Sequence, residues 1–110
     1  MIYILHIDPP LAHARHYVGW TKDRDVSRRV SQHLNQTGSR PSPLVGAALA
    51  AGCTVTLARV LDGDRTFERR IKARHGASSY CPICKPAHNA RAAARMRGYR
   101  EKLKRCTVGE

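Results

Sequence analysis

Side chains of the types that catalytic sites use are spread over the first two-thirds of this 110-residue chain. Tyr3 and Tyr17 lie in short β-branched and aromatic stretches that favour strands. Arg29 and His33 are four residues apart within a helical pattern, so they project side by side from one helix edge. Glu68 lies at the start of a later predicted helix, in a strongly basic stretch. These groups could take part in a reaction, or Glu68 could simply stabilise its helix N-terminus and pair with neighbouring cations.

A second pattern is the pair Cys81 and Cys84, whose spacing is typical of metal ligands. His88 follows four residues later, and these three residues form the set from which we predict a structural zinc site. A fourth ligand could come from one of three further residues: Cys53, His75 or Cys106. The alternative is that the two thiols only pack within a loop, since the chain holds no second C-x2-C pair.

Charge is the strongest feature of the composition. The chain has 20 Lys and Arg residues and 8 Asp and Glu residues, which gives a formal net charge of +12. Residues 1–64 contribute +2 of this charge, and residues 65–110 contribute +10. Such an excess attracts polyanions, because each neutralised phosphate releases condensed counterions. Nucleic acid is therefore the first partner to expect, and a merely soluble basic protein is the alternative.

Membrane association is not expected from this sequence. No stretch approaches the roughly 20 apolar residues of a membrane-spanning helix, and no basic helix carries a broad apolar face with Trp or Phe. The apolar start of the chain, residues 1–7, lacks the basic region and cleavage site of a signal peptide. We therefore expect a cytoplasmic protein with reduced thiols, and the sequence leaves its oligomeric state open.

The positions of these residues depend on a small set of predicted strands and helices. The predicted strands cover residues 2–7, 16–21 and 53–60, and the first of them is expected to end at Asp8-Pro9-Pro10. The second follows the first after a short connection, which favours an antiparallel pair. Three strands with helices segregated around them indicate an α+β domain, with a three-stranded antiparallel sheet flanked by helices.

Helix boundaries follow from capping residues and apolar spacing. The first helix is expected from Asp23 or Asp25 to about Leu34, and a second ends at Gly52. A third is expected to be capped by Thr66 and to run through residue 74, after which residues 78–86 are predicted to be irregular. Residues 1–84 form the predicted domain, and residues 85–110 form a basic helical extension.

Four short motifs, in this order and on this frame, resemble the GIY-YIG nuclease superfamily over about residues 1 to 84. Met1-Ile2-Tyr3 stands at the first tripeptide of the family, with Met in place of Gly. Tyr17-Val18-Gly19 stands at the second tripeptide and is followed by Trp20-Thr21. Arg29-Val30-Ser31-Gln32-His33 is similar to the family's helical motif, and Glu68 resembles the metal-binding Glu that opens its later helix.

The resemblance implies a DNA endonuclease that hydrolyses phosphodiester bonds with one divalent cation, Mg²⁺ or Mn²⁺, and no small-molecule cofactor. The carboxylate would hold the cation, and the planar guanidinium would bind the scissile phosphate. One of the two phenols would activate or orient the attacking water, and the imidazole would assist by hydrogen bonding. Gly19 would permit close approach of the backbone. The implied catalytic set is Tyr3, Tyr17, Arg29, His33 and Glu68.

Further basic residues are expected to contact the DNA backbone and to position the duplex. They are Arg28, Lys72, Arg91, Arg95 and Lys102.

Two other functions fit parts of the sequence. A non-catalytic basic nucleic-acid-binding module, with or without a zinc site, would explain the charge, and a small zinc-stabilised interaction domain would explain the cysteine pair.

Overall fold

The computed structural model describes residues 1–38, 40–74 and 76–84. Its three strands are β1 (Ile2–Leu11), β2 (Ala14–Trp20) and β3 (Thr54–Leu61). They form an antiparallel sheet in the order β2-β1-β3, so β1 is central and β2 lies at an edge of the sheet. The predicted α+β class with a three-stranded antiparallel sheet is confirmed.

Within the described residues, the helices are α1 (Ser27–Asn35), α2 (Pro43–Ala50), α3 (Arg65–Ala73) and the single turn α4 (Ala77–Tyr80). The short helix α4 overlaps the start of residues 78–86, which the sequence predicts to be irregular. The predicted extension at residues 85–110 lies outside the described residues.

Alternate side chains of β1 are buried on opposite faces of the sheet, because successive residues of a strand point in opposite directions. Tyr3 and Leu5 pack with apolar side chains of α1 and α2. Ile2 and Ile4 pack with Ile71 of α3. The helices α1 and α2 therefore cover one face of the sheet, and α3 covers the other.

The strand β1 does not end at its two prolines, and that prediction is wrong. It continues through them to Leu11, which pairs with Ala14 across a two-residue turn. The register with β2 is irregular between His6 and Leu11, and the pairing with β3 reaches no further than Asp8. The prolines thus fall between the paired positions of the described sheet, where the missing N–H of proline does no harm.

Helix α3 begins two residues earlier than the Thr66 cap predicts. Asp64 occupies the N-cap, and its carboxylate accepts a hydrogen bond of 2.9 Å from the backbone N–H of Phe67. Thr66 is exposed inside the first turn. An aspartate that follows a turn is at least as good a cap as threonine, so the sequence carries the signal for this cap two residues before Thr66.

The other two long helices show what their capping residues do. Val26 occupies the N-cap of α1 without a side-chain bond, and the carboxylate of Asp25 accepts a hydrogen bond of 3.0 Å from the backbone N–H of Ser27. Ser42 caps α2 with its hydroxyl oxygen. The chain then leaves α2 through Gly52, whose φ of +85° is a left-handed conformation that favours glycine.

Candidate active site and metal site

The sheet edge formed by β2 carries a cleft of about 210 Å³. The helices α1 and α3 lie on opposite faces of the sheet, and both contribute residues to this cleft. Of the five side chains in the catalytic set, four line it: Tyr3, Tyr17, Arg29 and Glu68. The fifth, His33, is fully buried and contacts Tyr3 from behind. Residues that are far apart in the chain therefore meet at one place.

Gly19 is directly opposite Tyr3 in the sheet, and its missing side chain makes room for the tyrosine ring. A Cβ atom at position 19 would lie 2.3 Å from both Cζ and Oη of Tyr3. Real Cβ atoms essentially never come this close to another heavy atom, so any side chain here would displace the ring. The glycine thus fixes where the Tyr3 hydroxyl lies.

His33 holds the Tyr3 hydroxyl in a defined hydrogen-bonding state. The backbone N–H of Ser42 donates to His33 Nδ1 at 2.8 Å, so Nδ1 is an acceptor and the proton of the neutral ring lies on Nε2. That N–H donates to the Tyr3 oxygen at 2.7 Å. Burial lowers the pKa of His33 to about 4, with a smaller contribution from the charge of Arg29. The ring is therefore neutral near pH 7. The hydroxyl proton of Tyr3 is then directed to an acceptor other than His33.

The two tyrosines differ in exposure, and burial affects the acidity of Tyr3. Burial raises the pKa of Tyr3 well above its usual value, and the neighbouring Tyr17 raises it further. Arg29 opposes the shift through its charge and a hydrogen bond. Tyr3 is only 1% exposed, whereas Tyr17 is partly exposed on the cleft wall. The Tyr3 phenol therefore remains protonated at neutral pH and is suited to donate a hydrogen bond.

The guanidinium of Arg29 is fixed from two sides. One terminal nitrogen donates to the side-chain oxygen of Gln32 at 3.0 Å, and the other donates to the backbone oxygen of Arg40 at 3.0 Å. The side chain is half-buried and also reaches Tyr3. A guanidinium held in this way loses less conformational entropy when an anion binds.

Glu68 lies in the first turn of α3, with its side chain 13% exposed. Its carboxylate forms an ion pair of 3.1 Å with Lys72, one helical turn later, whose side chain is 50% exposed. The ammonium group of Lys72 also lies 5.9 Å from the centre of the Tyr17 ring. The pairing with a neighbouring cation that the sequence suggested as an alternative is therefore present, at the same carboxylate that lines the cleft.

Besides Gly19, three residues outside the catalytic set line the cleft: Trp20, Arg65 and Arg69. The guanidinium of Arg65 lies over the Trp20 ring at 4.7 Å, and the indole N–H donates to the backbone oxygen of Gly63 at 3.2 Å. The sequence signal for the two arginines is spacing on α3: Glu68 follows Arg65 by three residues and Arg69 follows Arg65 by four, which places the Arg65 side chain next to each of them.

The residues expected to contact the DNA backbone fall into two groups. Arg28 on α1 and Lys72 on α3 are exposed, and Lys72 is engaged by Glu68. The others lie outside the described residues: Arg91, Arg95 and Lys102.

A second cluster, on the sheet face that α3 covers, could hold a metal such as zinc. It contains His6 and His16, which are directly opposite each other on β1 and β2, and Cys81 and Cys84, which follow α4. One potential ligand atom from each of the four lies within 4.8 Å of the others. Burial lowers the pKa of His16 to about 4, and the charges of His6 and Arg15 make smaller contributions in the same direction.

The cysteine pair of the predicted zinc site is thus present in the cluster, but with two histidines that the sequence interpretation missed. Cys53 is not a member: it is buried with Ile7 and Ala48 on the other side of the sheet. The remaining residues that were considered lie outside the described part of the chain: His75, His88 and Cys106.

Comparisons with protein-family models, with curated proteins and with solved structures find no match to this chain. Among the described residues, no helix combines the length and the apolar character that crossing a membrane requires. The function of this chain therefore has to follow from its own residues and their arrangement.

Proposed function

We propose that the protein is a divalent-metal-dependent endonuclease that hydrolyses phosphodiester bonds in DNA. The observation that carries this proposal is the convergence of two phenols, a guanidinium and a carboxylate on one cleft, with an imidazole behind one of the phenols. Had Glu68 and Arg29 opened to different sides of the molecule, the proposal would have failed. Both line the same cleft, although α1 and α3 pack on opposite faces of the sheet.

The scissile phosphate would bind to Arg29, whose planar fork matches two phosphate oxygens. Arg65 and Arg69 add positive charge at the same cleft. A second cavity of about 370 Å³ continues along β2 from Tyr17 and includes the exposed Arg15. These cationic side chains extend over more than the space of one phosphate, which suits a polymeric anion better than a small one.

The attacking water would be oriented by Tyr17. Tyr3 is buried, remains protonated and has its oxygen engaged by His33, so it is poorly placed to accept a proton. Tyr17 lines the cleft and is the more exposed of the two phenols. The Tyr3 hydroxyl, whose proton points away from His33, would donate a hydrogen bond to the phosphate or to the water. This bond would fix the position of the group that accepts it.

Glu68 would hold the divalent cation. Of the residues that line the cleft, it is the only carboxylate, and Mg²⁺ is often held by one or two carboxylates together with water and substrate phosphate. When bound, Mg²⁺ or Mn²⁺ would supply charge stabilisation of the leaving oxygen. Lys72 would have to release the carboxylate, and its ammonium group could then turn to solvent, since its side chain is 50% exposed.

A non-catalytic nucleic-acid-binding module is the second candidate, and one observation favours it. The ion pair between Lys72 and Glu68 neutralises the one carboxylate of the cleft in the absence of DNA. If Lys72 keeps this position when DNA binds, the cleft is purely cationic and binds a phosphate without cleaving it.

Cleavage assays separate the two candidates. Supercoiled, nicked and branched DNA are incubated with the protein and Mg²⁺, Mn²⁺ or EDTA. The test variants are Arg29→Ala and Glu68→Gln. Matched controls are Arg28→Ala, which removes an exposed guanidinium from the same helix, and Asp62→Asn, which neutralises an exposed carboxylate.

Metal-dependent nicking that is lost in both test variants and kept in both controls is the expected result. Nicking that survives Glu68→Gln, or that continues in EDTA, contradicts the proposal. Binding to all three DNA forms without cleavage in either metal supports the binding module.

A further inference from the structure

We propose that His6, His16, Cys81 and Cys84 bind one Zn²⁺ ion in a tetrahedral site with two nitrogen and two sulfur ligands. The two histidines form a cross-strand pair of the β1–β2 hairpin, so their ring positions are set by the sheet register. The two cysteines flank a tight turn, in which the backbone N–H of Cys84 donates to the Cys81 oxygen at 3.2 Å. Each half of the site is therefore already shaped by local structure.

The distances between the potential ligand atoms match a zinc tetrahedron. Bonds of about 2.0–2.1 Å to nitrogen and about 2.3 Å to sulfur place N–N pairs about 3.4 Å apart and N–S pairs about 3.6 Å apart. In the structure, His6 Nδ1 lies 3.3 Å from His16 Nε2 and 3.5 Å from Cys81 Sγ. Cys84 Sγ lies 3.7 Å from His6 Nδ1 and 3.4 Å from His16 Nε2. The remaining two pairs lie within 4.8 Å.

The donor set selects zinc over the hard cations. Thiolate sulfur and imidazole nitrogen suit Zn²⁺, whereas Mg²⁺ and Ca²⁺ require oxygen ligands. Four protein ligands close the coordination sphere, so no position is left for a water or a substrate, and the site is structural. Two thiolates also balance the charge of the ion, so no net charge is added to the sheet face that carries the site.

The site would join two parts of the fold that are far apart in sequence. His6 and His16 belong to the hairpin that opens the chain, and Cys81 and Cys84 follow α4. Cys81 is buried and Cys84 is exposed, so the bound ion would lie at the boundary between core and solvent. Cys84 also immediately precedes residues 85–105, which carry eight basic side chains. The ion would thus fix the point on the sheet at which this basic segment begins.

Cobalt binding tests the ligand set. The full chain is stripped of metal with a chelator under reducing conditions and titrated with Co²⁺, whose visible absorption reports tetrahedral geometry and whose near-ultraviolet charge-transfer band reports thiolate ligands. The test variants are His16→Asn and Cys84→Ser. Controls are His13→Asn, an exposed histidine near the hairpin turn, and His88→Asn, the histidine that the sequence alone suggested. In His16→Cys a ligand is restored, which distinguishes the loss of a ligand from a loss of folding.

The wild-type chain is expected to bind one equivalent of Co²⁺ with a tetrahedral thiolate spectrum, and Zn²⁺ should displace it. In His16→Asn and Cys84→Ser the affinity should fall by more than the roughly 10–100-fold that the loss of an outer-shell partner costs. Both controls and His16→Cys should bind tightly. The proposal is overturned if the wild type shows no tetrahedral spectrum, or if His88→Asn weakens binding while His16→Asn does not. None of these readouts involves DNA, so the outcome is independent of the proposed nuclease.

Discussion

Replacing Gly19 with alanine tests the packing on which the cleft depends. The added methyl group would lie 2.3 Å from Cζ and Oη of Tyr3 and 2.6 Å from Cε2. Tyr3 is 1% exposed, and its hydroxyl is bonded to the buried His33, so a movement of the ring would strain this hydrogen bond. Either the ring must move and break that hydrogen bond, or β1 and β2 must separate.

Both routes lower the free energy of unfolding. Overpacking a well-packed core by a methyl group costs about 1–3 kcal/mol. Breaking the hydrogen bond between Tyr3 and His33 adds about 1 kcal/mol, and more if the His33 N–H is left buried without an acceptor. We therefore expect Gly19→Ala to destabilise the protein by about 2–4 kcal/mol. If the proposed function holds, DNA nicking per folded molecule should fall at least about tenfold, since a displacement that raises the barrier by about 1.4 kcal/mol has this effect.

Urea unfolding followed by circular dichroism measures the stability change, with nicking rates corrected for the folded fraction. Gly76→Ala is the matched control. A Cβ atom there would meet nothing closer than the Ile71 backbone oxygen at 3.7 Å, and φ is −86°, which alanine adopts without strain. We expect this control to stay within about 0.5 kcal/mol of the wild type.

A Gly19→Ala variant whose free energy of unfolding also stays within about 0.5 kcal/mol of the wild type would contradict this packing. That result would mean that the Tyr3 ring does not lie against residue 19, and the position of its hydroxyl in the cleft would be wrong. A large loss of stability with full nicking activity would support the packing of Tyr3 against residue 19. It would also show that Tyr3 has no part in the proposed mechanism.

Two further predictions concern His33 and the start of α3. Because burial and Arg29 lower the folded-state pKa of the fully buried His33 to about 4, the unfolded chain takes up this proton first as the pH falls below about 6.5. Stability should then be lost between about pH 7 and about pH 5 by about 2 kcal/mol, and His33→Gln should lack this part of the pH dependence in urea unfolding; equal slopes would contradict the assignment. Asp64→Ala should cost about 1 kcal/mol, because the cap to the Phe67 N–H is lost. Thr66→Ala, at the exposed residue that the sequence suggested as the cap, should be nearly neutral, and the reverse order would show that Asp64 does not cap α3.

The sequence was sufficient to predict the class of the fold and the order of its main strands and helices. Strands and long helices have periodic apolar residues, and these periods survive without knowledge of tertiary structure. Four residues of the cleft and the buried His33 are predicted from motifs in their order along the chain, whereas Trp20, Arg65 and Arg69 are not. Their meeting at β2 could not be predicted from periodicity, because it depends on how two helices on opposite faces of the sheet are placed relative to this edge strand.

The histidine ligands of the metal cluster could not be predicted, because they depend on the hairpin register. Leu11 pairs with Ala14, and a regular ladder continued from that pair would place His6 opposite Gly19. The irregular segment that contains the two prolines shifts the register, so that His6 is opposite His16 instead. A sequence pattern gives no measure of such a shift, so the pairing of His6 with His16 across the sheet does not follow from the order of residues.

The placement of α1 and α3 on opposite faces of the sheet makes the cleft sensitive to two separate hydrophobic layers. Arg29 is carried by the layer that contains Val30, and Glu68 is carried by the layer that contains Ile71. Substitutions that loosen one layer would change the separation of the two charged groups without touching either of them. If the protein cleaves DNA as proposed, compensating mutations in a genetic selection for cleavage should arise in pairs, one on each side of the sheet, at buried apolar positions away from the cleft.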